Sequence, residues 1–252
     1  MNPEDLYQAM FRRKSVRNYH SSNLSRETLE EIESCLLKLT PLDPHIKTEF
    51  RVVSGDQIKT RMMKRAPHYL LAFSEKREGH LVNVGFMLQQ MDLYLSWRGI
   101  GTCWQGIPQP KKSALATSTL GYDILLTMGK AQETLHRECV EEFKRMALED
   151  ITDIQGADDI LEPVRLAPSS INSQPWHITG SPELMHFYCR KLNPMKSYLL
   201  GRFNQIDMGI ALCHLKLSAE HQGKEVEFLK DEAASKIGPE GYYYVDSVGL
   251  RD

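Results

Sequence analysis

The chain has 252 residues, of which 41% are hydrophobic and 25% charged, and its formal net charge is -2. These values are typical of a globular protein and give no reason to expect binding to nucleic acid or to an anionic membrane. The five cysteines are scattered without a C-x-x-C pair, which argues against a disulfide framework or a zinc knuckle. No apolar run approaches the roughly 18 residues of a membrane span, and the acidic start of the chain lacks a signal peptide's apolar segment. We therefore predict a cytoplasmic protein.

The first quarter of the chain predicts a mixture of helices and strands. Residues 3–14 predict a short helix with a basic end, and residues 15–19 predict extended chain. Ser25 is the predicted N-cap of a second helix that continues to about residue 39. Strands are predicted over two runs rich in β-branched and aromatic residues, at 50–53 and 69–73.

The longest helix of the first half is predicted by one apolar stripe. Its members recur with helical spacing at Leu81, Val84, Leu88, Met91 and Leu95. The sequence Gly99-Ile100-Gly101 predicts the end of this helix, because glycine favours the backbone conformation that follows a helix C-terminus. A further strand is predicted over residues 123–129.

A shift of 122 residues repeats this order of elements in the second half. Gly101 becomes Gly223, and the apolar stripe becomes Phe203, Ile206, Ile210, Cys213 and Leu217. The other predicted elements follow the same order, with a helix at 157–167 and strands at 176–179, 186–189, 226–229 and 242–245. We therefore predict two copies of one α+β unit, over residues 1–135 and 136–252. Coincidence is the alternative, since amphipathic helices share a period by construction. A helix predicted over residues 141–153 suggests that the halves pack tightly.

A basic segment near the N-terminus carries the first candidate binding residues. Arg13, Ser15 and Arg17 occupy alternate positions in extended chain, so their side chains point the same way. Two guanidinium groups that flank a hydroxyl suit a phosphate, because arginine offers a rigid fork of donors. A solvated basic surface is the alternative interpretation.

A second polar segment, residues 167–176, reads A-P-S-S-I-N-S-Q-P-W. Pro168, Ser169, Ser170 and Asn172 offer hydroxyls and an amide, but no base nearby could activate a serine as a nucleophile. The segment therefore suits hydrogen bonding to a polar ring or a ribityl chain. The alternative is a helix C-cap followed by a turn.

Other candidate residues are weaker. His214 and His221 are seven positions apart without an apparent third ligand, so we predict no metal site. Cys103 is predicted to be a small buried apolar residue rather than a redox-active thiol.

Together, the two polar segments resemble the motifs of the FMN-dependent nitroreductase superfamily. Its members typically show R-x-S-x-R near the N-terminus, then A-P-S-S-x-N-x-Q-P-W, and a helix that leads into G-x-G-[ST]-C-W. The chain matches these motifs at residues 13–17, 167–176 and 99–104. The resemblance covers nearly the whole chain and implies an α+β, nitroreductase-like fold.

The positions of the motifs depart from the usual pattern. In ordinary members the serine-rich motif follows the first helix, about 20 residues after R-x-S-x-R, but residues 38–44 of this chain lack it. The second half has residues 143–149 where R-x-S-x-R would stand. Family members are intertwined homodimers in which each flavin is held by both subunits. The resemblance therefore implies an internally duplicated, monomeric pseudo-dimer that keeps one of two flavin sites.

The resemblance also implies roles for individual residues. Arg13, Ser15 and Arg17 would face the phosphate and ribityl oxygens of FMN. The far side of the flavin would be lined by Pro168, Ser169, Ser170 and Asn172. The segment Trp104, Gln105 and Gly106 would run beside the edge of the ring, where a backbone N–H could bond N5. Arg137 would supply another cation to the phosphate, and a surface charge is its alternative.

The implied activity is that of an FMN oxidoreductase. NAD(P)H, as a transient co-substrate, would give a hydride to flavin N5, and an electron-poor small molecule such as a nitroaromatic or a quinone would then take it in a ping-pong reaction. No side chain need act as acid or base. Two alternatives remain: a non-catalytic protein that stores, carries or senses FMN, and a structural relic that binds no flavin.

Overall fold

A computed structural model describes residues 1–60 and 65–252 of the chain. The chain divides into two compact units, unit 1 over residues 1–142 and unit 2 over residues 143–252. Among the described helices, none combines the length and the apolar character that crossing a membrane requires.

Unit 1 is built on a four-stranded antiparallel sheet and one long helix. Its described helices are α1 (Pro3–Met10), α2 (Arg26–Leu36), α3 (His80–Trp97) and α4 (Lys112–Leu115). Its described strands are β1 (Thr48–Ser54), β2 (Ile58–Lys59), β3 (His68–Ser74), β4 (Gly101–Gln105), β5 (Gln109–Pro110) and β6 (Gly121–Gly129). The main sheet has the order β1-β3-β6-β4, and β2 pairs separately with β5. The predicted long helix α3 and the predicted strands β1, β3 and β6 are thus confirmed. The Ser25 side chain caps α2 as expected.

Helix α3 is more deeply buried than its apolar stripe predicted. Every residue from Leu81 to Ser96 is buried, including the polar residues Asn83, Gln90 and Asp92. A helix that is buried on every face needs a partner for each polar side chain it carries. These side chains therefore mark the places where α3 fixes neighbouring segments of the chain.

Unit 2 repeats this architecture with a longer central helix. Its described helices are α5 (Asp158–Arg165), α6 (Pro194–His221) and α7 (Glu232–Lys236), and its strands are β7 (Trp176–Ser181), β8 (Leu184–Arg190), β9 (Glu225–Leu229) and β10 (Tyr242–Arg251). The antiparallel sheet has the order β7-β8-β10-β9. If α3 is matched to α6, the strand order is the same as in unit 1. The predicted internal repeat of an α+β unit is therefore confirmed.

The two long helices end in the same way, but not at the predicted register. Gly99 follows α3 with φ of 78°, and Gly223 follows α6 with φ of 76°. In each case the next residue donates its N–H to the carbonyl five positions earlier, at 2.8 Å for Ile100 and 3.0 Å for Lys224. This is a Schellman motif, which needs a left-handed residue that glycine adopts without strain. Gly99, not Gly101, thus corresponds to Gly223, and the shift there is 124 positions rather than the predicted 122.

Two predicted helices are wrong in extent or type. Helix α1 ends at Met10 rather than at residue 14, because Arg13 forms a β-bridge with His136 and the N–H of Arg137 bonds the carbonyl of Arg12 at 2.9 Å. Residues 141–153 form no α-helix. They contain short 3-10 turns at Val140–Phe143 and Leu148–Asp150, because tertiary hydrogen bonds override the helical propensity of this segment.

Candidate functional site

The basic segment of unit 1, residues 13–17, is held as extended chain beside β4. We call it the clamp segment. Ser15 forms a parallel bridge with Thr102, and the N–H of Val16 donates to the carbonyl of Thr102 at 2.7 Å. At its far end the Tyr19 hydroxyl donates to the carbonyl of Val16 at 2.5 Å. Burial of Tyr19 raises the pKa of its hydroxyl, so this donor keeps its proton. The segment is therefore fixed by main-chain contacts along its length.

Gly101 allows the clamp segment to approach the sheet. A Cβ atom at this position would lie 2.9 Å from Cβ of Val16, closer than two carbon atoms can pack. The absence of a side chain at Gly101 therefore serves this close approach and not the end of α3. The sequence pattern singled out Gly101, but the prediction that this residue ends α3 was wrong.

We expect Gly101→Ala to destabilise unit 1 by about 1–3 kcal/mol, because the added methyl group must push Val16 and the clamp segment away from β4. Urea denaturation measures this change. Gly249→Ala is the matched control, since a Cβ at that strand glycine would meet its nearest side-chain atom at an ordinary 3.6 Å. Equal stability of the two variants would contradict the close approach.

Asp92 of α3 connects the clamp segment to β4. Its carboxylate pairs with Arg13, with 2.9 Å between Nε and Oδ2, and both side chains are at most 1% exposed. The same carboxylate accepts hydrogen bonds from the Thr102 hydroxyl and from Nε1 of Trp104, the latter at 3.3 Å. Nη2 of Arg13 in turn donates to Oγ of Ser15 at 3.1 Å. Sequence reasoning missed Asp92, although a single carboxylate within the apolar run of α3 was a visible signal.

Two further arginines lie with the clamp segment. The backbone N–H of Arg17 donates to Oε1 of Glu133 at 2.5 Å, whereas the Arg17 side chain is exposed. Arg137 donates from Nη1 to the carbonyl of Arg13 and from Nε to the carbonyl of Glu142 at 3.3 Å. Burial, followed by the positive charge of Arg13, lowers the pKa of Arg137 to about 10. The Arg137 guanidinium therefore adds a partly buried positive charge beside the clamp segment, and such a charge favours an anion.

The predicted ring-edge residues belong to β4 and the turn after it. Trp104 is half-buried, Gln105 is buried and Gly106 is exposed. Cys103 is buried beside them, and burial raises the pKa of its thiol, which agrees with the predicted structural role. Seven predicted site residues lie in unit 1, and contacts of Arg13 and Asp92 link four of them: Arg13, Ser15, Trp104 and Arg137. Arg13 is buried rather than open to solvent.

The second polar segment of unit 2 contains an unusual concentration of backbone strain. We call residues 168–174 the serine loop. Ile171, Asn172 and Gln174 have φ of 50°, 58° and 43°, in the left-handed region that non-glycine residues rarely adopt. Such residues cost roughly 1–3 kcal/mol each and persist only where the surroundings hold them. The Ile171 side chain is nevertheless 79% exposed, so core burial does not explain the strain. A strained, exposed loop is the kind of feature that a binding site requires.

Hydrogen bonds within unit 2 hold the serine loop. The N–H of Ser170 donates to both oxygens of Asp207, at 3.1 and 3.0 Å, and the N–H of Gln174 donates to Oγ of Ser169 at 2.9 Å. Pro168 is buried, and the two serines are half-buried. Oε1 of Gln174 accepts the N–H of Met146 at 2.8 Å, so the Gln174 side chain helps to fix the loop.

The amide of Asn172 is engaged within unit 2 on both sides. Its Oδ1 accepts from Nη1 of Arg145 at 2.5 Å, and its Nδ2 donates to the carbonyl of Lys144 at 3.0 Å. The resemblance had implied that Asn172 lines the flavin directly. These two hydrogen bonds give the side chain a role in shaping the loop, and its place beside the flavin stays a prediction.

Asp207 of α6 has a counterpart in unit 1. Asn83 of α3 lies 124 positions earlier, at the register that the helix ends define. Its Oδ1 accepts the N–H groups of Leu42 and Asp43, at 2.8 and 3.0 Å, in the loop that replaces the serine motif. The two units therefore anchor equivalent loops from equivalent positions. Burial raises the pKa of Asp207 well above that of an ordinary aspartate, and the hydrogen bond from Ser170 only partly offsets this.

We expect Asp207→Asn to stabilise unit 2 at pH 7, because the folded state disfavours the ionised carboxylate of Asp207 and asparagine carries no charge. The asparagine can still accept the Ser170 N–H, as Asn83 accepts its partners. Below about pH 4 the aspartate is protonated in both folded and unfolded chains, so the stabilisation should vanish there. As the pH rises, only the unfolded state ionises readily, and the difference should grow. Denaturation across pH 3–8 measures this difference in stability, with Asp153→Asn, at an exposed aspartate, as the control. An Asp207→Asn protein that is less stable than the wild type at pH 7 would contradict the prediction.

The two segments suit the parts of a flavin nucleotide. Unit 1 presents arginine donors with a hydroxyl between them, which fits a phosphate group. Unit 2 presents hydroxyls on a strained backbone, and strained residues of this kind cluster at ligand-binding sites. Among the described residues, no group of three or more His, Cys, Asp or Glu side chains is placed to hold a metal ion. His214 uses its Nδ1–H to bond the carbonyl of Pro163 at 2.7 Å.

Comparison with solved structures defines the class of fold. The chain is similar to a "putative nitroreductase" from Thermotoga maritima at 22% identity and a TM-score of 0.64, over 99% of this chain and 93% of that one. A nitroreductase family protein from Clostridium difficile matches 60% of this chain and 96% of its own, at 18% identity and a TM-score of 0.46. An FMN-dependent nitroreductase from Clostridium difficile R20291 matches 52% of this chain and 87% of its own, at 16% identity and a TM-score of 0.40. The first of these confirms the α+β, nitroreductase-like fold.

The family assignment is more specific. The family described as "Putative TM nitroreductase" matches residues 5–219, and the chain belongs to this family. A comparison with curated proteins found no match.

Proposed function

We propose that the protein is an FMN-dependent oxidoreductase of nitroreductase type. The observation that carries the proposal is the division of two complementary segments between the repeated units. Unit 1 has the arginine-rich clamp segment, and unit 2 has the strained serine loop. The equivalent loop of unit 1 lacks the serines, and residues 143–149 of unit 2 lack the clamp. The loss of opposite parts from the two copies is expected if one complete FMN site is kept.

Each unit would contribute a distinct part of FMN binding. Ser15, Arg17 and Arg137 would bind the phosphate, and Arg13, fixed by Asp92, would hold Ser15 in place. Ser169 and Ser170 would bond the ring or the ribityl chain, while Pro168 and Asn172 shape their loop. Trp104, Gln105 and Gly106 would border the ring edge. The placement of the clamp and of the serine loop on one FMN rests on the motif resemblance.

The bound flavin would supply the chemistry, which is hydride transfer from NAD(P)H to an electron-poor small molecule. The protein would bind and orient the flavin, because cofactor enzymes of this kind need no side chain to carry the electrons. A nitroaromatic or a quinone is the expected acceptor class. We also propose that the chain is monomeric, since duplication would supply both partners of the family's dimer; light scattering that shows an obligate dimer of full chains would contradict this.

Steady-state turnover of FMN-loaded protein tests the activity. We expect oxidation of NADH or NADPH that depends on a nitroaromatic or a quinone, with the parallel double-reciprocal lines of a ping-pong reaction. Protein that binds FMN tightly but is reduced by neither nicotinamide would instead support the non-catalytic FMN-binding alternative. Protein that binds no FMN would leave only the fold.

A further inference from the structure

Arg145 of unit 2 makes four hydrogen bonds around the serine loop, one of them to Asn172 in the loop itself. Its Nε donates to the carbonyl of Ala167 at 3.1 Å, and its Nη2 donates to the carbonyl of Leu166 at 3.2 Å. Its Nη1 donates to the carbonyl of Phe143 at 2.9 Å and to Oδ1 of Asn172 at 2.5 Å. One planar guanidinium therefore ties the end of α5, the start of unit 2 and the tip of the loop together. A cation at a helix C-terminus is also electrostatically favourable.

Arg145 lies where the second unit would carry its own phosphate-binding motif. It lies in the segment of unit 2 that stands where R-x-S-x-R would be expected. Its guanidinium is bonded within its own unit, to the carbonyls of Phe143, Leu166 and Ala167 and to the Asn172 side chain of the serine loop. An arginine held in this way has few donors left for a phosphate.

We propose that Arg145 is a positioning residue of the FMN site, which holds the serine loop in its strained conformation through Asn172. The proposal rests on the proposed function. Lys144 and Asn172 both have positive φ, of 50° and 58°, and the carbonyl of Lys144 accepts from Nδ2 of Asn172 at 3.0 Å. Because Arg145 also donates to Oδ1 of Asn172, the strained turns at Lys144 and at Asn172 are joined by hydrogen bonds in both directions. Among the described residues, Arg145 is the donor to Oδ1 of Asn172, and it acts together with the hydrogen bonds of Asp207 and Gln174 that also hold the loop. Loss of the Arg145 bond would free this end of the loop to relax towards an unstrained backbone.

The geometry of the fork makes the proposal specific to arginine. Lysine would keep the positive charge but offers a single ammonium group, which cannot reach the carbonyls of α5 and Asn172 at the same time. Arg145→Lys should therefore fall between the wild-type protein and Arg145→Gln. Arg51→Gln is a matched control in unit 1, because the Arg51 guanidinium also bonds two backbone carbonyls, of Thr117 and Phe50, and one carboxylate, of Glu49.

Two measurements on the full chain test the proposal. Hydrogen exchange of the flavin-free protein should show faster exchange at the amides of Asn172, Ser173 and Gln174 in Arg145→Gln, while the amides of β7 and β8 exchange as in the wild type. FMN titration should show a dissociation constant raised about 10- to 100-fold, as expected for losing hydrogen bonds to a charged group that orders the site. Arg51→Gln should change neither quantity.

Three results would overturn the proposal. Unchanged exchange of the loop amides in Arg145→Gln would overturn it, and so would faster exchange with unchanged FMN affinity. Faster exchange throughout unit 2 would show general unfolding and would also overturn it. If the wild-type protein binds no FMN, the proposed function fails by itself; local exchange would then still decide whether Arg145 positions the loop.

Discussion

Replacing Asp92 by alanine is expected to lower the free energy of unfolding of unit 1 by about 3–5 kcal/mol. The variant leaves the buried guanidinium of Arg13 without its carboxylate, and it removes the acceptor for Thr102 and Trp104. A buried charge that loses its partner keeps its desolvation penalty, which is why removing one member costs far more than an exposed pair contributes. Urea denaturation of the flavin-free protein measures the effect directly.

The matched control is Glu30→Ala, which breaks an exposed ion pair with Arg26 on α2. An exposed pair of this kind contributes little, so we expect a change below about 0.5 kcal/mol. Asp92→Asn keeps the shape of the side chain but not its charge, and it should also be strongly destabilising. If Asp92→Ala were no less stable than Glu30→Ala, the carboxylate would not be the centre of the clamp region.

Replacing Arg17 by alanine is expected to weaken FMN binding about 10- to 100-fold with little effect on folding. The Arg17 side chain is exposed, and its backbone N–H remains bonded to Glu133 whichever side chain is present. The variant therefore removes a phosphate donor without disturbing the clamp segment. Arg13 does not allow this separation, because its side chain is part of the core.

FMN titration at fixed ionic strength measures the loss in Arg17→Ala. Arg26→Ala is the control, since it removes an arginine of the same unit that lies outside the clamp segment, on α2, and whose side chain is 92% exposed. A general loss of positive charge would weaken FMN binding in both variants. Unchanged affinity in Arg17→Ala would argue against a phosphate at the clamp segment.

The elements that could be predicted from the sequence are those with a strong local pattern. The apolar stripe of α3 and the apolar runs of β1, β3 and β6 lie where the pattern placed them. The stripe predicted the wrong register, because a shift of 122 positions matches every stripe residue to an apolar residue, whereas the observed shift of 124 places the polar Gln205 opposite Leu81. The Schellman hydrogen bonds of Gly99 and Gly223 settle the register, and these are visible only in three dimensions.

The sequence motifs pointed to candidate site residues, but not to the partners of their side chains. The motifs identified Arg13 and Asn172, but both side chains are used inside their own units, by Asp92 and Arg145 respectively. Neither contact has a sequence signature, since Asp92 is 79 positions from Arg13 and the segment around Arg145 has the composition of a helix. Long-range hydrogen bonds decide such conformations against local propensity.

The amount of FMN released per chain from purified, FMN-saturated protein is the most direct test of a single flavin site shared by the repeated units. We predict a yellow protein with about one FMN per chain, and we expect Arg17→Ala to lose that flavin on dilution. Two FMN per chain would contradict it, because the loop at residues 38–44 and the segment at residues 143–149 would then be binding flavin without the motifs. A protein that remains colourless after incubation with FMN would also contradict it.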